Sequence, residues 1–156
     1  MNWDAIGAVG EVFGATAVVI SLLYLAAQVR TQNRESRLAA THEILAGYRE
    51  LGMAFQNPET ARVFAKANAD FESLTDQETI QLLGIVLPTL RLWEEAFYQN
   101  LDGRLDDRMW VNFTKVFEDT FGSSAFKKAW KLRENGFSDQ FRKYVNAVDS
   151  KGWKIR

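Results

Sequence analysis

Four places in the 156-residue chain hold residue types at a spacing that could do chemistry. His42-Glu43 opens like the zinc-protease pattern His-Glu-x-x-His, in which two imidazoles one helical turn apart hold the metal and the glutamate is the base. Position 46 is Ala, so the second imidazole is missing. His42 is also the single histidine, and a carboxylate-bridged di-metal centre needs two Glu-x-x-His units. Glu94-Glu95 and Asp106-Asp107 are adjacent carboxylates that diverge around a helix or cap it, so they read as a solvated face and an N-cap rather than an acid and base pair. The fourth is Glu11, an ionisable group inside an apolar stretch. The absence of cysteine excludes disulfides, thiolate zinc sites, iron–sulfur clusters and cysteine nucleophiles. No nucleophile motif accompanies the lone His, and Gly103 and Gly122 stand isolated, with no phosphate-cradling pattern. The expectation is a protein without enzymatic activity, metal or cofactor.

The element that holds Glu11 is Ala5 to Val29, AIGAVGEVFGATAVVISLLYLAAQV, in which Glu11 is the only charge. At ~1.5 Å per residue such a helix exceeds the ~30 Å hydrocarbon core of a bilayer. A cleaved signal would want a basic start and small residues at both −3 and −1. The start is Met1-Asn2-Trp3-Asp4, and neither Ala26 nor Ala27 has a small residue two places earlier. The chain begins at Met1, which is read as a retained segment. A buried soluble helix is the competing reading, and Glu11, Ser21 and Gln28 would sit awkwardly in a dry core. The expectation is a retained membrane helix over residues 1–30. No basic residue precedes it, whereas Arg30, Arg34, Arg37 and Arg49 follow, so the positive-inside rule puts the amino terminus outside and the rest in the cytoplasm. Trp3 and Tyr24 suit interfacial anchors. Arg30, Arg34 and Arg37 share a helix face by their spacing and fit either anionic headgroups or a solvated face.

Small and polar residues gather along one side of the span. Gly7, Gly10, Gly14, Ala17 and Ser21 cluster there, Gly10-x-x-x-Gly14 has the small-x-x-x-small spacing, and Gly7, Glu11, Gly14, Val18, Ser21, Leu25 and Gln28 follow a seven-residue stepping. Ile6, Val9, Phe13, Ile20 and Leu23 make a smooth apolar opposite side. Three placements are open for Glu11: snorkelling outward, hydrogen bonding in a helix–helix interface, or joining a ring of carboxylates around a cation pore. The last two require further copies or another membrane partner.

Nothing between Val29 and Gly52 breaks a helix, so a juxtamembrane stalk is expected over 31–56, with Leu38, Ile44, Leu45, Tyr48, Leu51 and Phe55 on its apolar face. Residues 57–156 are expected to form a cytoplasmic helical domain. Asn57-Pro58 starts a helix over 58–70 with Val63, Phe64 and Ala67 inward. Thr75-Asp76-Gln77-Glu78 reads as a capping box for a helix over 76–101, whose apolar middle, Ile80 to Trp93, is shorter than a span and contains Pro88, a kink. Asp102-Gly103 ends it. Helices are expected over 107–121 with Trp110, Phe113, Val116 and Phe117 inward, over 124–134 with Phe126, Trp130 and Leu132 inward, and from Ser138 to Val148 with Phe141, Tyr144, Val145 and Val148 inward. Asn135-Gly136 reads as a left-handed cap, and the basic tail Lys151 to Arg156 carries Trp153 and Ile155 as docking residues. Asn112-Phe113-Thr114 matches a glycosylation sequon that the expected topology leaves in the cytoplasm. Beyond the span the charge sums to only +1, which offers no case for nucleic acid.

Ala5 to Glu11, Gly14-Ala15 and Ala17 to Ala26 running into Gln28-Val29-Arg30, together with Glu95 to Gln99, Phe126, Trp130, Phe137-Ser138 and Phe141 to Val145, resemble a group of small, uncharacterised bacterial membrane proteins. The resemblance covers most of the chain. It implies a Gly/Glu-containing span, a helical remainder and a bacterial inner membrane, and no activity. The resulting expectation is all-α: a transmembrane helix continuing into a stalk, then a bundle of about four to five helices. Its partners would be the lipid bilayer, further copies in a homo-oligomer and possible other membrane proteins. A cation channel with a Glu11 ring and an accessory subunit of a larger membrane complex are the alternatives.

Overall fold

The protein is all-α. The computed structural model describes residues 3–148, and the backbone alone for residues 3–6, 8 and 9. The helices are α1 (Trp3–Ala54), α2 (Pro58–Ala69), α3 (Asp76–Leu101), α4 (Asp107–Phe121), α5 (Ser124–Arg133) and α6 (Asp139–Ala147), with 3-10 turns at Phe71–Ser73 and Glu134–Gly136. The chain divides into two units, Met1–Ala39 and Ala40–Arg156.

The caps follow the sequence closely, because each is a contact between residues two or three apart. The Asn57 side chain accepts from the Glu59 N–H (2.9 Å) with Pro58 at the first helical position, and Asp106 accepts from the Arg108 N–H (2.9 Å). The Thr75–Glu78 box is closed in both directions, Thr75 Oγ1 accepting from the Glu78 N–H (3.2 Å) and Glu78 Oε2 from the Thr75 N–H (2.9 Å). Gly103 leaves α3 at φ +66, a left-handed conformation that a side chain would strain.

The second unit is built around α3. Leu82, Val86, Leu90 and Trp93 are buried along it, which makes the Ile80–Trp93 stretch a core segment and sets it against Phe113, Phe117 and Phe121 of α4 and Phe126 and Trp130 of α5. Trp93 is the hub. Its ring meets Phe117 edge-on at 4.4 Å and Phe126 at 5.3 Å, and its Nε1–H donates to Tyr48 Oη at 3.0 Å. Phe137, Phe141 and Val145 close the far side over Trp130.

Several expectations need correction. The boundary between units falls at Ala39/Ala40 rather than after residue 56: Ala40 and Ile44 are buried, and Tyr48, Leu51 and Phe55 are half-buried, so the later part of the supposed stalk belongs to the packed body. Gly47 permits this close approach, since a Cβ there would stand 2.7 Å from Leu92 Cδ1. Leu38 and Leu45 lie exposed on the other side of α1, and Val116 and Leu132 are exposed as well. On α4 the inward stripe runs Phe113, Phe117, Phe121 at four-residue steps, which rotates Val116 outward. Gly136 is not left-handed. It ends a 3-10 turn, and its carbonyl accepts from Arg91 Nη2 at 2.7 Å, while α5 is capped at Glu134, whose N–H donates to the Trp130 carbonyl. The Trp3 side chain and the tail with Trp153 and Ile155 lie outside the described residues.

Glu78 extends its capping role into an ion cluster, accepting from Lys66 Nζ (2.6 Å) and Arg62 Nη2 (2.9 Å). The Lys66 ammonium, then the Thr75 N–H and the Arg62 guanidinium, hold its carboxyl down at about 2, from an ordinary 4.5. A folded-state pKa below the unfolded one means that this stabilisation is present above about pH 4.5 and is lost as the pH falls toward 2. Glu78→Gln is expected to flatten the loss of thermal stability across that acid window, as followed by circular dichroism. An unchanged slope would show that other carboxylates dominate it.

Candidate membrane-association surface

In the first unit the helix is bare. From Gly10 to residue 39 every residue is exposed, including Phe13 at 71% and Leu23 at 67%. α1 is one helix long and apolar enough, by length and composition, to cross a membrane, and a signal sequence near an N-terminus meets the same criterion. A run of apolar side chains this long has no core of its own unit to enter, and in water it would remain an exposed hydrophobic rod.

Because α1 is unbroken, the phase of each residue follows from ~100° per residue. Gly7, Gly10, Glu11, Gly14, Ala17, Ser21 and Gln28 then fall within an arc of roughly 120°. Arg30, Arg34 and Arg37 lie roughly opposite that arc, on the side of Phe13, Ile20 and Leu23. A Cβ at Gly7, Gly10 or Gly14 would meet nothing within 4 Å, so the small-residue side is open to an approaching backbone.

The polar groups on this rod are not alike. The Ser21 hydroxyl donates to the Ala17 carbonyl (2.8 Å), and Thr16 donates to Val12 (2.7 Å), so both donors are satisfied within the helix. The stripe expected from sequence counted Ser21 as a group in need of a partner, and back-bonding removes that need. Glu11 and Gln28 take no part in a hydrogen bond or ion pair among the described residues, and both are exposed. They are the two side chains of the stripe that an external partner would have to satisfy in an apolar medium.

The second unit holds a polar cluster that sequence reasoning passed over. The adjacency of Glu94 and Glu95 predicts a solvated pair, and the two differ sharply: Glu95 is exposed, whereas the Glu94 side chain is 13% exposed and reaches Ser138 at the start of α6. Glu94 Oε1 accepts from the Ser138 N–H (2.9 Å) and the Ser138 hydroxyl (2.8 Å), and Oε2 accepts from Arg91 Nη1 (2.6 Å). Tyr98 Oη donates to the Ser138 hydroxyl at 2.7 Å, and the Arg91 guanidinium lies 4.1 Å from the Phe137 ring centre. Burial alone would raise the Glu94 carboxyl; the Ser138 N–H and hydroxyl and then Arg91 outweigh it and hold the group below its ordinary value. The signal available in sequence was the spacing Arg91, Glu94, Tyr98, three polar-capable residues on one face of α3 at steps of three and four. Tyr48, whose phenol burial pushes up to about 12 against the pull of the Trp93 hydrogen bond, is likewise a neutral structural partner.

This arrangement fixes the start of α6. Glu94→Ala strands the Ser138 N–H and is expected to cost about 1–3 kcal/mol, with faster amide exchange in α6. A melt and exchange pattern equal to the wild type would reduce the cluster to a surface contact. Among the described residues no group of three or more His, Cys, Asp or Glu is placed to hold a metal ion. His42 is exposed and alone.

No family model, curated protein or solved structure matches the chain.

Proposed function

We propose that the protein is a single-span membrane protein whose copies associate through the Gly7/Gly10/Glu11/Gly14/Ala17 side of α1 and whose second unit is an assembly or docking module without catalytic activity. The observation that carries this reading is the thirty-residue helical stretch of exposed, mostly apolar side chains, which a bilayer would solvate and water would not. Arg30, Arg34 and Arg37 directly after the apolar run, with no basic residue before it, support an amino terminus outside and the second unit in the cytoplasm, with the arginines at anionic headgroups and the bacterial inner membrane as the bilayer. The open Gly face and the unpaired Glu11 and Gln28 support association, since close backbone approach and interhelical hydrogen bonding are what hold helices together in lipid.

Mass measurement of the detergent-extracted protein tests the association. More than one copy per particle is expected, shifting toward the monomer in Gly14→Leu, which fills the open face. A monomer without any bound partner overturns self-association, and recovery of a different membrane protein in fixed ratio makes the chain an accessory subunit. Glu11 is the sole ionisable residue of the stripe. If it lines a pore, bilayer conductance depends on it, and conductance indifferent to Glu11→Gln removes the channel reading.

A further inference from the structure

Charge within the second unit is strongly segregated along the chain. Residues 40–123 carry seven Lys and Arg against fourteen Asp and Glu. Residues 124–147, which form α5 and α6, carry six Lys and Arg against Glu134 and Asp139 alone. The near-zero charge of the whole chain conceals this division. Lys127, Lys131, Arg142 and Lys143 line two open depressions of about 470 and 620 Å³ that share Asn146 between them. Lys131 pairs with Glu134 at 3.4 Å and Arg142 with Asp139. Lys127 and Lys143 are exposed, and no ion pair among the described residues engages either. The depression that holds Lys127 and Lys131 has no carboxylate in its lining, and the rings of Phe121 and Trp130 border it.

We propose that this α5–α6 surface is a contact site for anionic lipid headgroups, a second point of attachment beyond α1. The proposal rests on the membrane reading of α1 for its local supply of lipid. Lysine is depleted at protein–protein interfaces, whereas a broad polybasic surface is the form that recognition of an anionic leaflet takes. The acidic residues of 40–123 are distributed over α1, α2, α3, α4 and the turns between them rather than confined to one helix. Lys151, Lys154 and Arg156, next in sequence, add three positive charges against Asp149 alone.

The full-length protein, reconstituted at one copy per nanodisc, tests this by amide hydrogen exchange. In discs of phosphatidylcholine mixed with phosphatidylglycerol, α5 and α6 are expected to exchange more slowly than in phosphatidylcholine alone, and added salt should reverse the difference. Lys127→Ala with Lys143→Ala, both on the surface, is expected to weaken this lipid dependence roughly 25-fold, about fivefold for each charge removed. Equal exchange in the two lipids overturns the proposal. So does slowing that appears only when two copies share a disc, which would assign the surface to a second copy. If the protein does not enter discs at all, the span reading has failed by itself; flotation with phosphatidylglycerol vesicles then reads the surface, where salt-sensitive retention supports it and no retention overturns it.

Discussion

A chain beginning at Ala40 is expected to remain folded and to lose all membrane association that survives alkaline or high-salt extraction, leaving at most salt-sensitive binding to anionic lipid. The full-length chain, by contrast, should resist alkaline extraction and float with lipid. The reason is arithmetic on a single helix. Ala5 to Val29 contains eleven Leu, Ile, Val and Phe residues, which at ~0.3–0.6 kcal/mol each favour insertion by roughly 3–7 kcal/mol. A charged residue at the centre of a span opposes this by about 2.5–3.5 kcal/mol, and Glu11 lies nearer one end, where the cost is smaller. The second unit does not need that helix for its core, because its buried residues begin at Ala40 and Ile44. Flotation assays and circular dichroism on the two chains read both halves of the expectation. Full-length protein in the aqueous fraction without detergent would end the membrane reading, and an unfolded shorter chain would show that the first unit contributes to the fold.

Trp93→Ala is expected to be the most damaging single substitution in the second unit, at about 3–5 kcal/mol. Trp93 is 2% exposed and sits where α3, α4, α5 and the end of α1 meet. Removing it opens a cavity beside Phe117 and Phe126 and takes away the indole N–H that binds Tyr48, whose hydroxyl then loses its partner in a mostly buried site. For a unit of this size the loss corresponds to a fall of roughly 10–20 °C in Tm, measurable by thermal melts of the Ala40 chain. Trp93→Phe keeps most of the ring contact and should lose about 1–2 kcal/mol, chiefly the hydrogen bond. A cost below about 1 kcal/mol for Trp93→Ala would mean that the aromatic core collapses into the vacancy, and that packing on α3 is not what holds the end of α1.

Helix starts and stops were legible because their determinants are contiguous. Asn57-Pro58, the Thr75–Glu78 box, Asp106 and Gly103 each act through neighbours within four residues, and each is found where its pattern places it. The apolar length of the first helix needs no tertiary information either. Faces were less legible. Leu38, Leu45, Val116 and Leu132 are apolar residues on amphipathic helices, yet the body meets each helix at a rotation that leaves them outside. Within the candidate membrane surface, the glycine stripe follows directly from helical phase, while the self-satisfied hydroxyl of Ser21 does not follow from a pattern that counts polar residues.

The amino-acid order alone determined an all-helical chain, the helix boundaries, the exposed apolar rod and the positive charge that follows it, because these depend on composition and on spacing within a few turns. Only the tertiary structure decided that Glu94 and not Glu95 anchors α6, that Gly136 serves Arg91 rather than a left-handed cap, and that the packed unit begins at Ala40. It also set Lys127 and Lys143 at two separate depressions that share Asn146. In each case the deciding partner lies on another helix, as with Ser138 forty-four residues from Glu94, and the rotation that brings two helices face to face is set by the core as a whole.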